Sequence, residues 1–358
     1  MFLKIKLSSS ILTICCCEWT AKYRGVLILA FCVAFSNLFI GFAIGQSNSK
    51  AASDQESENA PEKVTLETKD KVELVCTYFP PVAPEKPDAS KDAAAAPETE
   101  PESKSAAGKR TITYIILHDW KSSRKDTKAL ATFLSARGNA VITPDLRGHG
   151  DSTRVIGVEK AINSEDFTGN EIGSTIEDIE TCKRFLVKKN NAGELNVDML
   201  AVIAIGETVP LATEWVVKDW SFAPYSKGIK QGQDVKFLIM IAPEKKLGPF
   251  SMTRITNAPI FAGQTALPTI VSWGTSSKTA KDSQSILNRL KKKRPEKEDE
   301  TVEEKTLFLA PLQSSRSGVQ IGSDQTLTKL WQFFDKTVSG KLNQNIDKMP
   351  WQDRSKEP

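Results

Sequence analysis

The chain has 358 residues, 48 of them basic and 44 acidic, and 40% hydrophobic, enough for one large domain or two ordinary ones. Lys4, Lys6, Lys22, Arg24 and Glu18 all fall within the first 45 residues, which leaves 44 bases against 43 acids in the remainder. That near-neutrality argues against electrostatic steering toward a polyanion, and no nucleic-acid partner is expected.

From the N-terminus, residues 25–45, "GVLILAFCVAFSNLFIGFAIG", carry no charge, follow Lys22 and Arg24, and precede a polar stretch. Basic residues, an apolar run and then small residues read as a secretory signal. The run is also long enough to be a retained signal anchor crossing a hydrocarbon core of roughly 30 Å. Either way the body is expected outside the cytoplasm, secreted, periplasmic or membrane-anchored. Four of the six cysteines (Cys15, Cys16, Cys17, Cys32) lie in this front segment. Cys76 and Cys182 alone give neither a disulfide framework nor metal spacing. They are expected as two separately buried thiols, with a single bridge in an oxidising compartment as the alternative.

Residues 46–62 form a polar linker, and a domain is expected over 63–338. "KVTLETKDKVELVCTYFPP" predicts two strands joined by a turn. Residues 81–109, rich in Ala, Pro, Glu and Lys, lack the large apolar side chains needed to offset ordering entropy and read as a disordered insertion. "TITYIILHDW" then predicts a strand buried on both faces, "DTKALATFLSARG" a helix stopped by Gly138, and "NAVITPDLRGHGDST" a strand entering a glycine-rich loop. In "STIEDIETCKRFLVKKN", Ser174 with Glu177 has the spacing of a capping box at a helix start. A strand over 199–205 and a helix near 210–220 follow, with Trp215 and Trp220 expected to pack that helix. Next come strands "VKFLIMIAP" and "PTIVSWG", helix "AKDSQSILNRLKKK", strand "KTLFLAPL" and helix "TLTKLWQFFDKTVSG". Residues 339–358 read as a polar, mobile tail. The fold class is α/β: a mostly parallel open sheet with helices on both faces and little or no lid. In such a sheet the site lies beyond the carboxyl ends of the strands.

The chain resembles the α/β-hydrolase family. "ILHDW" looks like that family's His-Gly oxyanion loop with Asp119 in place of glycine, and "PDLRGHGDST" is close to its typical loop after the next strand. The resemblance implies a nucleophile on the turn at "LAVIAIGETVPLATEW", a late histidine and an orienting acid. "GETVP" laid on Gly-x-Ser-x-Gly puts Thr208 in the serine position. Sliding by two gives "AIGET", with Gly206 there and no reactive side chain. The segment after the last strand, "APLQSSRSGVQIGSDQ", has no histidine, and Ser276 or Ser277 stands where the acid is expected; Asp282 reads as a first-turn charge of the next helix. The chain's two histidines, His118 and His149, fall in the earlier loops, where the resemblance gives them a supporting role.

The candidate site is therefore Thr208 as nucleophile, with His118, Asp119, Trp120, Glu207 and Val209 around the oxyanion-type loop and pocket. Asp145, Arg147 and His149 are expected to hold the neighbouring loop. Two histidines and Asp119 could ligate a metal in principle, but no spacing motif supports it, and neither metal nor cofactor is expected. The favoured expectation is an exported hydrolase-fold protein without a working triad, acting as a binding or scaffolding module of the cell envelope. Its partner would be a small acyl-type ligand or an envelope protein. A weaker expectation is that the insertion and linkers tether the domain to that partner. The alternative is an esterase-type hydrolase using Thr208 with an unusual base, His118 or Glu207.

Overall fold

The computed structural model describes residues 60–82, 107–226, 229–294, 301 and 304–355. The expected export segment (1–45), most of the linker and residues 83–106 of the insertion lie outside the described residues. No helix among the described residues is long and apolar enough to cross a membrane.

Eight strands make the main sheet: β1 (Glu62–Glu67), β2 (Val72–Phe79), β3 (Thr113–Leu117), β4 (Ala140–Pro144), β5 (Leu200–Ile205), β6 (Val235–Ile241), β7 (Thr269–Gly274) and β8 (Leu307–Leu312). Their spatial order is β1-β2-β4-β3-β5-β6-β7-β8, with the two-residue strand Arg154–Val155 added beside β2. β2 runs antiparallel to both β1 and β4, while β3 to β8 run parallel to one another. The chain passes from β3 to β4 on one side and then crosses to β5 on the other. The switch point thus lies between adjacent strands β3 and β5, paired from Thr113↔Leu200 to Leu117↔Ala204.

The strands are apolar at successive positions because helices cover both faces. On β5, Leu200, Val202 and Ala204 enter one core while Ala201, Ile203 and Ile205 enter the other. The helices Ile176–Asn191, Val209–Ser221 and Ala280–Lys293 pack on the first face through Ile179, Leu186, Trp215, Val216, Ile286 and Leu290. The helices Lys128–Ser135 and Thr328–Asn343 pack on the second through Leu130, Leu134, Trp331, Phe334 and Val338. Trp215 is anchored by its indole N–H to Glu180 and Trp220 by its own to the Val235 carbonyl.

Two expectations are corrected. The capping box belongs to Thr168 and Glu171, which start the helix Gly169–Ser174. Ser174 is that helix's last residue, its hydroxyl donating to the Asn170 carbonyl, and Thr175 keeps helical dihedrals into Ile176–Asn191. The tail is not free either. The last helix runs to Asn343, and the segment from Met349 to Arg354 docks on the domain: Asn196 donates to the Met349 carbonyl, Asn190 to that of Gln352, and Trp351 to that of Asn190.

Arg354 ends that strap in a buried ion network at the amino ends of β5 and β6, opposite the switch point. Its Nη1 lies 3.0 Å from Asp234 Oδ1 and 3.9 Å from Asp198 Oδ1. Lys183 reaches Asp219 at 2.8 Å and Asp234 at 2.5 Å, and Lys230 reaches Asp198 at 2.6 Å. Asp219 also accepts from the backbone N–H groups of Asp234 and Val235. Three cations thus balance three carboxylates with almost no water contact. Despite its burial, which acts to raise it, the Asp234 carboxyl is held well below the usual range by Lys183, Arg354 and Lys230. Removing one member leaves a buried charge unpaired. Arg354→Met is expected to lower unfolding free energy by about 3–5 kcal/mol in urea titrations; a loss under about 1 kcal/mol would mean the strap does not complete the network.

Candidate functional site

The loops that leave β3 and β5 meet because those strands are neighbours. β5 ends at Ile205, and Gly206 turns the chain with φ +60° before a short 3-10 turn leads into the helix Val209–Ser221. A left-handed residue between a strand and a helix marks the point of the nucleophile elbow, where the turn would present a reactive side chain. That residue is glycine, so the backbone adopts the "AIGET" alignment, and Thr208 does not occupy the elbow position. Pro210 sits in the first turn of the helix, where its missing N–H costs nothing.

The space above Gly206 is filled by another residue. A Cβ added at 206 would lie 2.3 Å from Asp119 Oδ1 and 2.4 Å from both Asp119 Cγ and Oδ2. The Asp119 carboxylate therefore stands where the elbow side chain would begin. Its Oδ1 accepts the backbone N–H of Glu207 and that of Trp120, each at 2.9 Å. These are the residue after the elbow and a residue of the loop after β3, the two sources of an oxyanion hole in this architecture. The hole is built, and a carboxylate from the protein's own chain fills it. Burial raises the Asp119 carboxyl above its ordinary value, although the two N–H bonds and the charges of Lys278 and Lys121 pull the other way.

The surrounding groups hold this arrangement in place. The Thr208 hydroxyl is fully buried and lies 2.8 Å from the carbonyls of His118, on the loop after β3, and Ile205, so its proton is spent on backbone. His118 donates from Nδ1 to the Asp119 carbonyl (2.7 Å) and accepts the Leu146 N–H at Nε2 (3.0 Å). Those partners fix one neutral tautomer and leave no ring lone pair for a metal or a substrate proton. Burial pushes the His118 ring down to about 4. His149 donates from Nδ1 to the Arg147 carbonyl and packs edge-on against Trp120, 4.6 Å between ring centroids. Arg147 pairs with Asp178 and Asp70, and buried Asp145 accepts the Arg124 backbone N–H at 2.7 Å and pairs with its guanidinium. The loop residues Asp145, Arg147 and His149 thus tie the loop down. Val209 is buried in the core rather than facing a pocket.

The other triad positions hold no acid or base. After β7, the Ser277 hydroxyl donates to the Gly274 carbonyl at 2.8 Å. Asp282 lies in the first turn of its helix and bonds Lys245. After β8 comes the short helix Gly318–Ser323, begun by a Ser317–Gln320 capping box. It packs against the elbow so closely that a Cβ at Gly318 would lie 2.8 Å from Ile205 Cγ2 and 3.1 Å from the Gly206 nitrogen. Sequence reasoning missed Gly318 and also Glu244, whose N–H reaches the Gly206 carbonyl at 3.3 Å. The spacing of Gly318 and Gly322 was the available signal, since both let a helix lie against Ile205. Glu207 is half-buried, 4.0 Å from Lys121. Among the described residues no group of three or more candidate ligands could hold a metal. A surface groove of about 750 Å³ lies on the outer face of helix Ala280–Lys293, bordered by Trp273, Lys281, Asn288, Arg289 and Lys292, and does not reach the elbow.

An esterase from Pyrococcus furiosus matches this structure with a TM-score of 0.50 at 15% identity, over 86% of this chain and 99% of that one. The chain has the α/β-hydrolase fold. A sugar hydrolase from Lactococcus lactis (TM-score 0.49, 11% identity, 79% of this chain and 99% of that one) is also similar. So is an alpha-beta serine hydrolase homologue from Coxiella burnetii (0.46, 14%, 77% and 96%). No family model matches the chain, and no curated protein matches it in sequence. Within the hydrolase fold, then, the elbow carries glycine and the oxyanion donors hold Asp119.

A side chain at 206 and the carboxylate of Asp119 compete for one volume. Gly206→Ala is expected to cost about 1–3 kcal/mol as overpacking, with strain from the positive φ added. In an Asp119→Gly background the same change should cost less, giving a coupling energy of about 0.5–3 kcal/mol in a double-mutant cycle of denaturant unfolding. Additive effects would mean the two residues do not share that space.

Proposed function

We propose that this chain is a non-catalytic member of the α/β-hydrolase fold, exported from the cytoplasm and serving as a binding or scaffolding module of the cell envelope. The observation that carries the non-catalytic reading is the Asp119 carboxylate at the elbow. It occupies the volume of the nucleophile and saturates the two N–H donors that would stabilise a tetrahedral oxyanion. A substrate carbonyl placed there would meet a carboxylate instead of free donors, and no side chain on residue 206 could attack it. Triad catalysis also needs a histidine whose ring can take the nucleophile's proton. Both ring nitrogens of His118 are engaged; His149 is bonded at Nδ1 only and lies buried, edge-on against Trp120, on the loop after β4 rather than after the last strand. Export rests on the charge-free run at 25–45 behind Lys22 and Arg24, and the envelope role follows from export without catalysis.

The reading in which Thr208 attacks an ester with His118 or Glu207 as base finds no support in the geometry. The hydroxyl is fully buried and bonded to backbone, 2.8 Å from the carbonyls of His118 and Ile205. The test is hydrolysis of short acyl esters, and acylation by a fluorophosphonate probe, on the purified chain beside Thr208→Ala. Equal background turnover and no stoichiometric labelling are expected, with the variant about 1 kcal/mol less stable for the lost buried hydrogen bond. Labelling of a single hydroxyl in one-to-one amount, or turnover that vanishes in Thr208→Ala, would overturn the reading.

A further inference from the structure

We infer that Cys76 and Cys182 form a disulfide when the chain folds in the presence of a disulfide oxidant, clamping β2 to the helix Ile176–Asn191. The two sulfurs lie 4.0 Å apart, both in side chains with no exposed surface, one on the second strand and one on the helix that covers it. A disulfide spans about 2.05 Å, so closure needs a movement of about 2 Å shared between two side chains. Both are free buried thiols in the structure, as expected, but they lie in contact with each other.

The cross-link would reach the loops around the elbow through the helix. Three residues before Cys182 the same helix carries Ile179 in the core, and one residue earlier stands Asp178, which holds the backbone N–H and the guanidinium of Arg147. Fixing the helix to β2 fixes that anchor for the loop after β4. The bond also closes a long segment, residues 76–182, that includes the insertion and the Asp119 loop.

The chemistry is ordinary thiol–disulfide exchange. The thiolate of one cysteine attacks oxidised glutathione, forming a mixed disulfide and releasing one glutathione thiol. The second cysteine, as thiolate, attacks the protein sulfur of that mixed disulfide and releases the second glutathione. Two S–H bonds are lost from the protein, one S–S bond forms, and the oxidant's S–S bond is reduced to two thiols. Burial pushes the Cys76 thiol well above its ordinary value, and the neighbouring Cys182 sulfur adds to this. Exchange therefore proceeds before the helix docks, when a thiolate is still accessible, and the finished bond is shielded from reductant afterwards.

The test is refolding of the full chain in a reduced/oxidised glutathione buffer, followed by N-ethylmaleimide alkylation and tryptic digestion without reduction. Expected is one cross-linked species joining residues 72–91 to 161–183, lost on reduction. The oxidised protein should melt about 5–10 °C above the reduced protein, the range for a closed loop of this length in a domain of this size. Cys182→Ala should lose both the species and the oxidant-dependent shift; if that variant does not fold, the peptide map of the unaltered chain decides alone. Recovery of Cys76 and Cys182 as maleimide adducts would overturn the inference. So would their pairing with Cys15, Cys16, Cys17 or Cys32.

Discussion

The carboxylate of Asp119, held between the backbone N–H groups of Glu207 and Trp120, is the contact around which the crevice of this fold is organised. It joins the loops of two adjacent parallel strands at the point where the strand order switches. An oxyanion hole is a pair of donors with no partner until a transition state arrives. Until such a partner arrives, two inward-facing N–H groups left unpaired are a cost of about 1–3 kcal/mol each. Asp119 removes that cost with a charge-assisted bond to each donor. Glycine at 206 is the condition for it, since any Cβ there would meet the carboxylate within 2.4 Å.

The rest of the crevice follows from this contact. Thr208 ties the elbow to the His118 carbonyl, and His118 ties its own loop to Leu146, so the loops after β3, β4 and β5 form one hydrogen-bonded unit. The short helix after β8 closes down on Ile205 and Gly206 through Gly318, and on Ile205 again through Gly322. Thr208, His118 and Asp119 are all engaged in hydrogen bonds to backbone groups. At the other end of the sheet the same principle appears with full charges, where Arg354 completes a set of paired carboxylates and cations.

Much of this was legible in the sequence. The apolar strands alternating with amphipathic helices give the sheet, and no histidine follows "KTLFLAPL", where the family resemblance implies one, whatever the alignment of the turn. The turn itself was not decidable, because "GETVP" offers a hydroxyl but puts Pro210 at the second glycine, "AIGET" offers no reactive side chain, and the backbone dihedral at Gly206 separates them. Asp119 was visible as a departure from glycine, but its bond to Glu207 N spans 88 positions and depends on the β3–β5 register. The capping box was ambiguous for a local reason. Thr168-x-x-Glu171 and Ser174-x-x-Glu177 share the pattern, and the chain starts its helix where the backbone is extended, at Thr168. The tail reads as polar because the acids that bury Arg354 lie more than 100 residues earlier.

The most direct measurement of the central claim is an NMR titration that follows the Asp119 side-chain carboxyl together with the backbone amide protons of Glu207 and Trp120. Both amide protons should shift with the Asp119 carboxyl at a single midpoint, above the ordinary aspartate value of about 3.9. Amide protons that stay in place while Asp119 titrates would contradict the assignment of its carboxylate to the oxyanion hole.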